Sequence, residues 1–311
     1  MTARPILVTG SHRSGTTWVG EMLSRSGEVV SIHEPFNPEL PASWLASPPR
    51  RWFHFVDDGD PTFADDLRRV CSLRPAVGPM LGRARSPRAV ARVGAELARA
   101  VEGRLRGRRA LLKDPIAFFS AEWIDAELDA NVLVLVRHPA AFAGSLQRLG
   151  WSFDFTNLTS QPALMDGPAA PFADELHRAV DDPGDIVDQA VLLWRLFATV
   201  ANDDYQRHQG WEVRRYEDLA ADPVGQVPEL GRDLGLRWSD AATDAVRELT
   251  SASLGADVAD GDKGGVARDS RAAMWTWVHR LSDEDVRRIR TGTEDVAGHF
   301  YADEDWDPPP E

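Results

Sequence analysis

The segment Ile6-Leu7-Val8-Thr9-Gly10-Ser11-His12-Arg13-Ser14-Gly15-Thr16-Thr17-Trp18 decides how this chain is read. Its first four residues form a short apolar run stopped by Gly10, the pattern of a parallel strand buried on both faces. From Gly15 the spacing turns helical, with Trp18, Val19, Met22 and Leu23 on one stripe and Gly27 as the stop. A glycine-bearing turn between such a strand and helix points backbone N–H groups outward at the helix N-terminus. That is an anion cradle by geometry.

Working outward, core strands are expected at about 6–9, 29–32, 110–112, 132–136 and 211–215. Helical spacing is expected over about 62–71, 87–106, 117–128, 139–149 and 184–207. Strands alternating with helices imply an α/β fold: a P-loop-type parallel sheet flanked by helices on both faces. An insertion of about 36–108 follows the second strand, and its first part, from Pro35 to Pro61, reads as irregular. Trp151 to Asp182 is rich in Pro, Gly and Asp and is expected to be a mobile lid or substrate loop. The acidic tail Asp303 to Glu311 is expected to fray. The whole chain, 1–311, is read as a single domain.

At 311 residues, 43% hydrophobic and 27% charged, the composition is that of an ordinary globular protein. Disordered, collagen-like and fibrous classes are excluded. No stretch approaches the roughly 18 apolar residues of a membrane span, and Val132 to Val136 is typical of the runs present. The N-terminus is too short before its first glycine to read as a signal peptide. The single cysteine, Cys71, excludes an intramolecular disulfide and a cysteine-based zinc site. A cytoplasmic location is expected. The net charge of −14 argues against a nucleic-acid or anionic-membrane surface. A local cluster of donors still overcomes a mean field screened over about 10 Å, so a small anionic ligand is allowed. Of 35 basic residues only Lys113 and Lys263 are lysines.

The turn after the first strand is similar to a Walker A loop, but Thr16 stands where that loop has lysine, and the basic residue has moved inside, to Arg13. Arg137-His138-Pro139 follows the strongest strand, with Ser145 eight residues after Arg137; an Arg and a Ser hydroxyl there suit a second phosphate. Together these motifs resemble sulfotransferases that use 3′-phosphoadenosine 5′-phosphosulfate (PAPS). Arg13, Ser14, Gly15, Thr16, Thr17 and Trp18 resemble the 5′-phosphosulfate loop, and Arg137 with Ser145 the 3′-phosphate pair. Lys113-Asp114-Pro115 is similar to a segment of tyrosylprotein and carbohydrate sulfotransferases. Tyr216-Glu217-Asp218 is similar to a segment whose tyrosine lies near the adenine. Arg268, seven residues before Trp275, has the spacing of the late segment that closes over the 3′-phosphate.

The resemblance implies transfer of a sulfuryl group from PAPS to a hydroxyl of a small-molecule, carbohydrate or natural-product acceptor, leaving adenosine 3′,5′-bisphosphate (PAP), with no metal needed. Such transfer rests on in-line positioning and on stabilising charge at the leaving oxygen. Arg13 and Lys113 are the residues for that charge; Arg holds its proton, so Lys113 is the better donor. Glu34 stands where carbohydrate and tyrosylprotein enzymes place the base, with His33 as the alternative. Neighbours on a strand face opposite ways, so only one of the two is expected at the site. Trp18 reads as an adenine contact or as core. Asp114 reads as an orienting or helix-capping residue, and His12 has no assigned role. Trp44, Trp52, Phe53, Phe55, Trp151, Phe153 and Phe155 read as an acceptor wall or as satellite core. The rival readings are a P-loop kinase acting on a small molecule and a non-catalytic PAP-binding protein of the same fold.

Overall fold

The computed structural model describes residues 4–57, 61–251 and 269–308. Five parallel strands, β1 (Ile6–Gly10), β2 (Val29–His33), β3 (Arg109–Lys113), β4 (Asn131–Val136) and β5 (Glu212–Arg215), form one sheet in the order β2-β3-β1-β4-β5. Side chains alternate across it. Ile6, Val8, Leu133 and Leu135 face one buried cluster, and Leu7, Val132, Val134 and Val136 face the other. The first cluster is closed by α1 (Thr16–Ser24) through Trp18, Val19, Met22 and Leu23, the stripe read from the sequence. Both faces are therefore sealed, and ligand chemistry is left to the carboxyl ends of the strands.

The insertion after β2 carries α2 (Pro61–Cys71), α3 (Val77–Arg83) and α4 (Pro87–Leu105). Sequence reading missed α3, whose two glycines and proline hide its helical character. In α4, Ser86 accepts from the Ala89 N–H with Pro87 in the first turn, a cap readable from sequence. A 3₁₀ turn (Pro115–Ser120) and α5 (Ala121–Leu128) follow β3, and α6 (Pro139–Leu149) follows β4.

The stretch 151–182 differs from the expected loop. It holds α7 (Thr156–Thr159), α8 (Pro162–Asp166) and α9 (Ala173–Asp181), with a 3₁₀ turn at Ala170–Phe172. Its Phe153, Phe155, Leu158, Leu164, Phe172 and Leu176 are buried in the core. Two of the three prolines that suggested a loop instead open helical turns, Pro162 in α8 and Pro171 in the 3₁₀ turn. Next comes α10 (Ile186–Arg207), opened by a reciprocal Asp185–Asp188 capping box. The tail is also ordered as far as it is described: Asp303–Trp306 is a 3₁₀ turn, Trp306 is buried, and Asp305 accepts from Arg215 Nη1 at 2.9 Å. Asp303 and Asp305, two of the acidic residues that looked like a frayed end, have Arg290 and Arg215 as partners. Among the described residues no helix is long and apolar enough to cross a membrane.

Candidate active site

The cradle loop turns on glycine. Gly10 has φ 141°, and a Cβ there would lie 2.3 Å from the Leu135 carbonyl oxygen. Gly15 has φ 99°, and its Cβ would meet the Tyr216 ring at 2.4 Å. Positive φ and absent space together demand glycine at both positions. Gly15→Ala is therefore expected to lose about 2–4 kcal/mol of stability, from left-handed strain plus overpacking against the ring. Chemical denaturation measures it; an unchanged midpoint would show that the loop can relax. Arg13 also has positive φ, 65°, and the Ser14 N–H bonds back to Ser11 O at 3.1 Å. The first-turn amides of α1 have no intrahelical acceptor. Beside them, the Ser14 hydroxyl is buried and has no hydrogen-bond partner among the described residues.

Across the sheet edge, Lys113 at the end of β3 and Glu34 just beyond β2 form an ion pair at 2.6 Å. Lys113 is only 3% exposed and Glu34 17%. Asn37 Nδ2 donates to the other Glu34 oxygen at 2.8 Å. Burial pushes the Glu34 carboxyl up, but the charges of Lys113 and His33 and the bonds from Lys113 and Asn37 outweigh it, so its pKa lies below the ordinary value. Burial pulls the Lys113 ammonium down, opposed in part by Glu34. Asp114, the residue after Lys113, anchors the backbone around the pair. Its carboxylate accepts from the Phe36 N–H at 2.7 Å and the Ile116 N–H at 3.0 Å, and its backbone bonds to β1 at Val8 O and Thr9 Oγ1. Burial, then the charge of Glu34, raises the Asp114 pKa to about 7. Of the two roles expected of Asp114, orienting or helix-capping, the bond from the Ile116 N–H is a cap on the 3₁₀ turn Pro115–Ser120.

His33 and Glu34 do not face opposite ways as expected. β2 ends at His33, and Glu34 has φ 43°, so the chain turns and the two side chains approach to 3.9 Å. Glu34 is the one tied to Lys113, while His33 is more than half exposed.

At the end of β4, Arg137 Nη1 donates to Arg13 O at 2.8 Å, and its guanidinium lies 5.2 Å from the centre of the Tyr216 ring. Ser145, one face of α6, accepts from Arg13 Nε at 3.0 Å. The structure thus brings Arg13, Arg137, Ser145 and Tyr216 together, and Arg13 leans towards Ser145. Trp18 and Tyr216 are both buried and meet edge to face at 5.6 Å. Trp18 belongs to the core cluster under the sheet, yet its indole N–H has no partner among the described residues. Thr16 is buried and Thr17 exposed. Arg268 lies outside the described residues. Of the aromatic set, Trp44, Phe53, Phe153 and Phe155 are buried, and Trp52, Phe55 and Trp151 are partly exposed.

Sequence reasoning passed over Glu217, whose carboxylate accepts from the His138 N–H and the Tyr301 hydroxyl, both at 3.0 Å. It ties the residue after Arg137 to the residue after Tyr216. A motif with adjacent acids gave no signal of which one turns inward.

A profile of the sulfotransferase family matches residues 5–240, and the chain belongs to that family. Among solved structures, it is similar to the sulfotransferase domain from the Synechococcus PCC 7002 olefin synthase, with TM-score 0.52 and 18% identity over 97% of this chain and 95% of that one. It also matches mouse sulfotransferase SULT7A1 complexed with PAP, at TM-score 0.43 and 15% identity over 97% and 87% of the two chains. Sulfotransferase STF9 from Mycobacterium avium matches at TM-score 0.45 and 13% identity over 96% and 77%. No curated protein matches the sequence.

Proposed function

We propose that this sulfotransferase moves a sulfuryl group from PAPS to the hydroxyl of a small-molecule, carbohydrate or natural-product acceptor, with Glu34 as general base. The observation that carries this reading is the Lys113–Glu34 pair at 2.6 Å, beside the Arg13 loop at the carboxyl edge of the sheet. The residues present fit PAPS. The α1 amides and the unpartnered Ser14 hydroxyl suit the 5′-phosphosulfate; Arg137, and Ser145 once released from Arg13, suit the 3′-phosphate. Tyr216 and the unpartnered Trp18 N–H suit the adenine. When bound, PAPS supplies the sulfuryl group, whose bond to the phosphate oxygen breaks as the acceptor oxygen bonds to sulfur. Glu34 takes the acceptor's proton. Lys113 and Arg13 hold positive charge at the edge where negative charge grows. Lys113, with its lowered pKa, is the residue able to pass a proton there; Arg13 is not. The same reading takes 1–311 as one domain in the cytoplasm.

The donor site is tested by ligand choice. PAP at about 100 times its Kd adds roughly 2.7 kcal/mol and moves the thermal midpoint, whereas ADP, lacking a 3′-phosphate, moves it far less. Arg137→Ala is expected to weaken PAP by about 2–5 kcal/mol and to leave ADP nearly unchanged, read by calorimetric titration. Equal affinity of wild type for PAP and ADP would remove the 3′-phosphate site.

The pair also fixes a pH profile. Glu34 must be ionised to accept a proton, and its pKa lies below the ordinary 4.5. Activity is therefore expected to hold as pH falls to the ordinary carboxylate range and to drop only below it. Lys113 must be protonated, and its pKa lies below 10.5, so the alkaline limb comes earlier than for an exposed lysine. A kcat/KM profile checks both limbs.

A further inference from the structure

His12, next to Arg13, takes no part in the reading above. Its side chain is buried, and neither Nδ1 nor Nε2 has a hydrogen-bond partner among the described residues. Six aromatic rings surround it: Phe142 and Trp151 at 5.2 Å, Phe53 at 5.5 Å, Phe153 at 6.1 Å, Phe197 at 6.2 Å and Trp52 at 6.5 Å between ring centres. An unpaired polar ring in such surroundings is costly, and a phenylalanine would fill the space without that cost. A polar group so placed implies a partner that comes and goes. Burial, then the charge of Arg13, lowers the His12 pKa to about 3, so the ring is neutral, with one donor and one acceptor nitrogen.

The box adjoins the cradle loop, in which His12 precedes Arg13. Phe142 lies on α6 three residues before Ser145, the partner of Arg13. Four of the rings are phenyls, and they form a buried inner wall. Trp52 and Trp151 form a partly exposed outer wall and meet edge to face at 5.4 Å. The backbone beneath that wall is pinned: the Trp52 and Phe55 N–H groups donate to Asn157 and Gln161 at 3.0 and 2.9 Å, and Gln161 Nε2 donates to Phe53 O at 3.1 Å. Opening therefore falls to the indole side chains, not to the chain.

We infer that this box is the acceptor site, that the Trp52 and Trp151 side chains part to admit a flat aromatic alcohol, and that His12 hydrogen-bonds its polar edge and so sets specificity. The inference rests on the sulfuryl-transfer reading for the reaction, though not for the binding. Phenyl rings carry no polar atoms, and Trp52 gives its indole N–H to Glu39 at 3.3 Å. A sugar would leave most of its hydroxyls unpaired in the box, a heavy desolvation cost. An aryl alcohol carries one polar group, and the imidazole matches one.

The test is equilibrium dialysis of 2-naphthol, naphthalene and methyl β-glucoside against the full chain, with and without PAP. Wild type is expected to bind 2-naphthol at least about tenfold more tightly than naphthalene or the glucoside. His12→Phe is expected to erase the difference between naphthol and naphthalene while PAP affinity stays within about twofold. Equal binding of naphthol and naphthalene by wild type, a preference for the glucoside, or an unchanged preference in His12→Phe overturns the inference. If His12→Phe does not fold, the wild-type comparison decides alone. Failure to bind PAP with the naphthol preference intact sinks the sulfuryl-transfer reading, whereas the reverse result sinks the acceptor site.

Discussion

Glu34→Gln is expected to lower kcat by about 10²–10⁴ while PAP binding stays unchanged, because a positioned general base contributes that much and the donor contacts lie elsewhere. Glutamine keeps the length of the side chain and an oxygen that accepts from Lys113 or Asn37, so the turn after β2 has no reason to move. What is lost is the basic oxygen. The acid limb of the pH profile should vanish with it, since it belongs to Glu34. Product formation with PAPS and calorimetry with PAP separate the two effects. A wild-type rate would remove Glu34 from the chemistry and leave His33, 3.9 Å away, as the next residue to substitute.

Lys113→Met should damage both rate and stability. The lysine stem packs on α1, where a Cβ on Gly20 would come within 3.0 Å of Lys113 Cγ, and methionine fills that slot. The charge is gone, and Glu34 is left without its cation. Removing one partner of a buried pair costs about 3–5 kcal/mol; the partial exposure of Glu34 and its bond from Asn37 bring the expectation to about 2–3. The pH dependence identifies the cause. Wild-type Glu34 has a lowered folded pKa, so its stabilisation is present above the unfolded carboxylate pKa and is lost as pH falls through the folded one. In Lys113→Met, burial acts unopposed by that charge and the Glu34 pKa rises. The deficit against wild type should therefore be widest near neutrality and shrink in acid. A deficit independent of pH would assign the loss to packing, not to the pair.

The sheet was legible because β1 and β4 are unbroken apolar runs bounded by punctuation, and their observed ends lie within a residue of those expected. The residues of the proposed site were legible as motifs. Their pairing was not: nothing local says that Lys113 meets Glu34, 79 positions away, or that Arg13 bonds Ser145, 132 away. Segment 151–182 was misread because proline and glycine punctuate short helices as readily as loops, and only burial of Phe153, Phe155 and Phe172 tells the two apart. His12 was passed over because its aromatic surroundings come from four distant stretches. The imidazole stands out only once they have converged.

The strand order distributes these parts unevenly. β1 and β4, which lead into Arg13 and Arg137, are paired on both sides, whereas β2, which leads into Glu34, lies at the border of the sheet. The long β2–β3 connection, with the Trp52–Phe53 strap, hangs from that border. Insertions and rewritings there disturb no interior pairing. The architecture thus separates a half on doubly paired strands, which carries the proposed nucleotide contacts, from a half at the border whose changes leave those strands untouched.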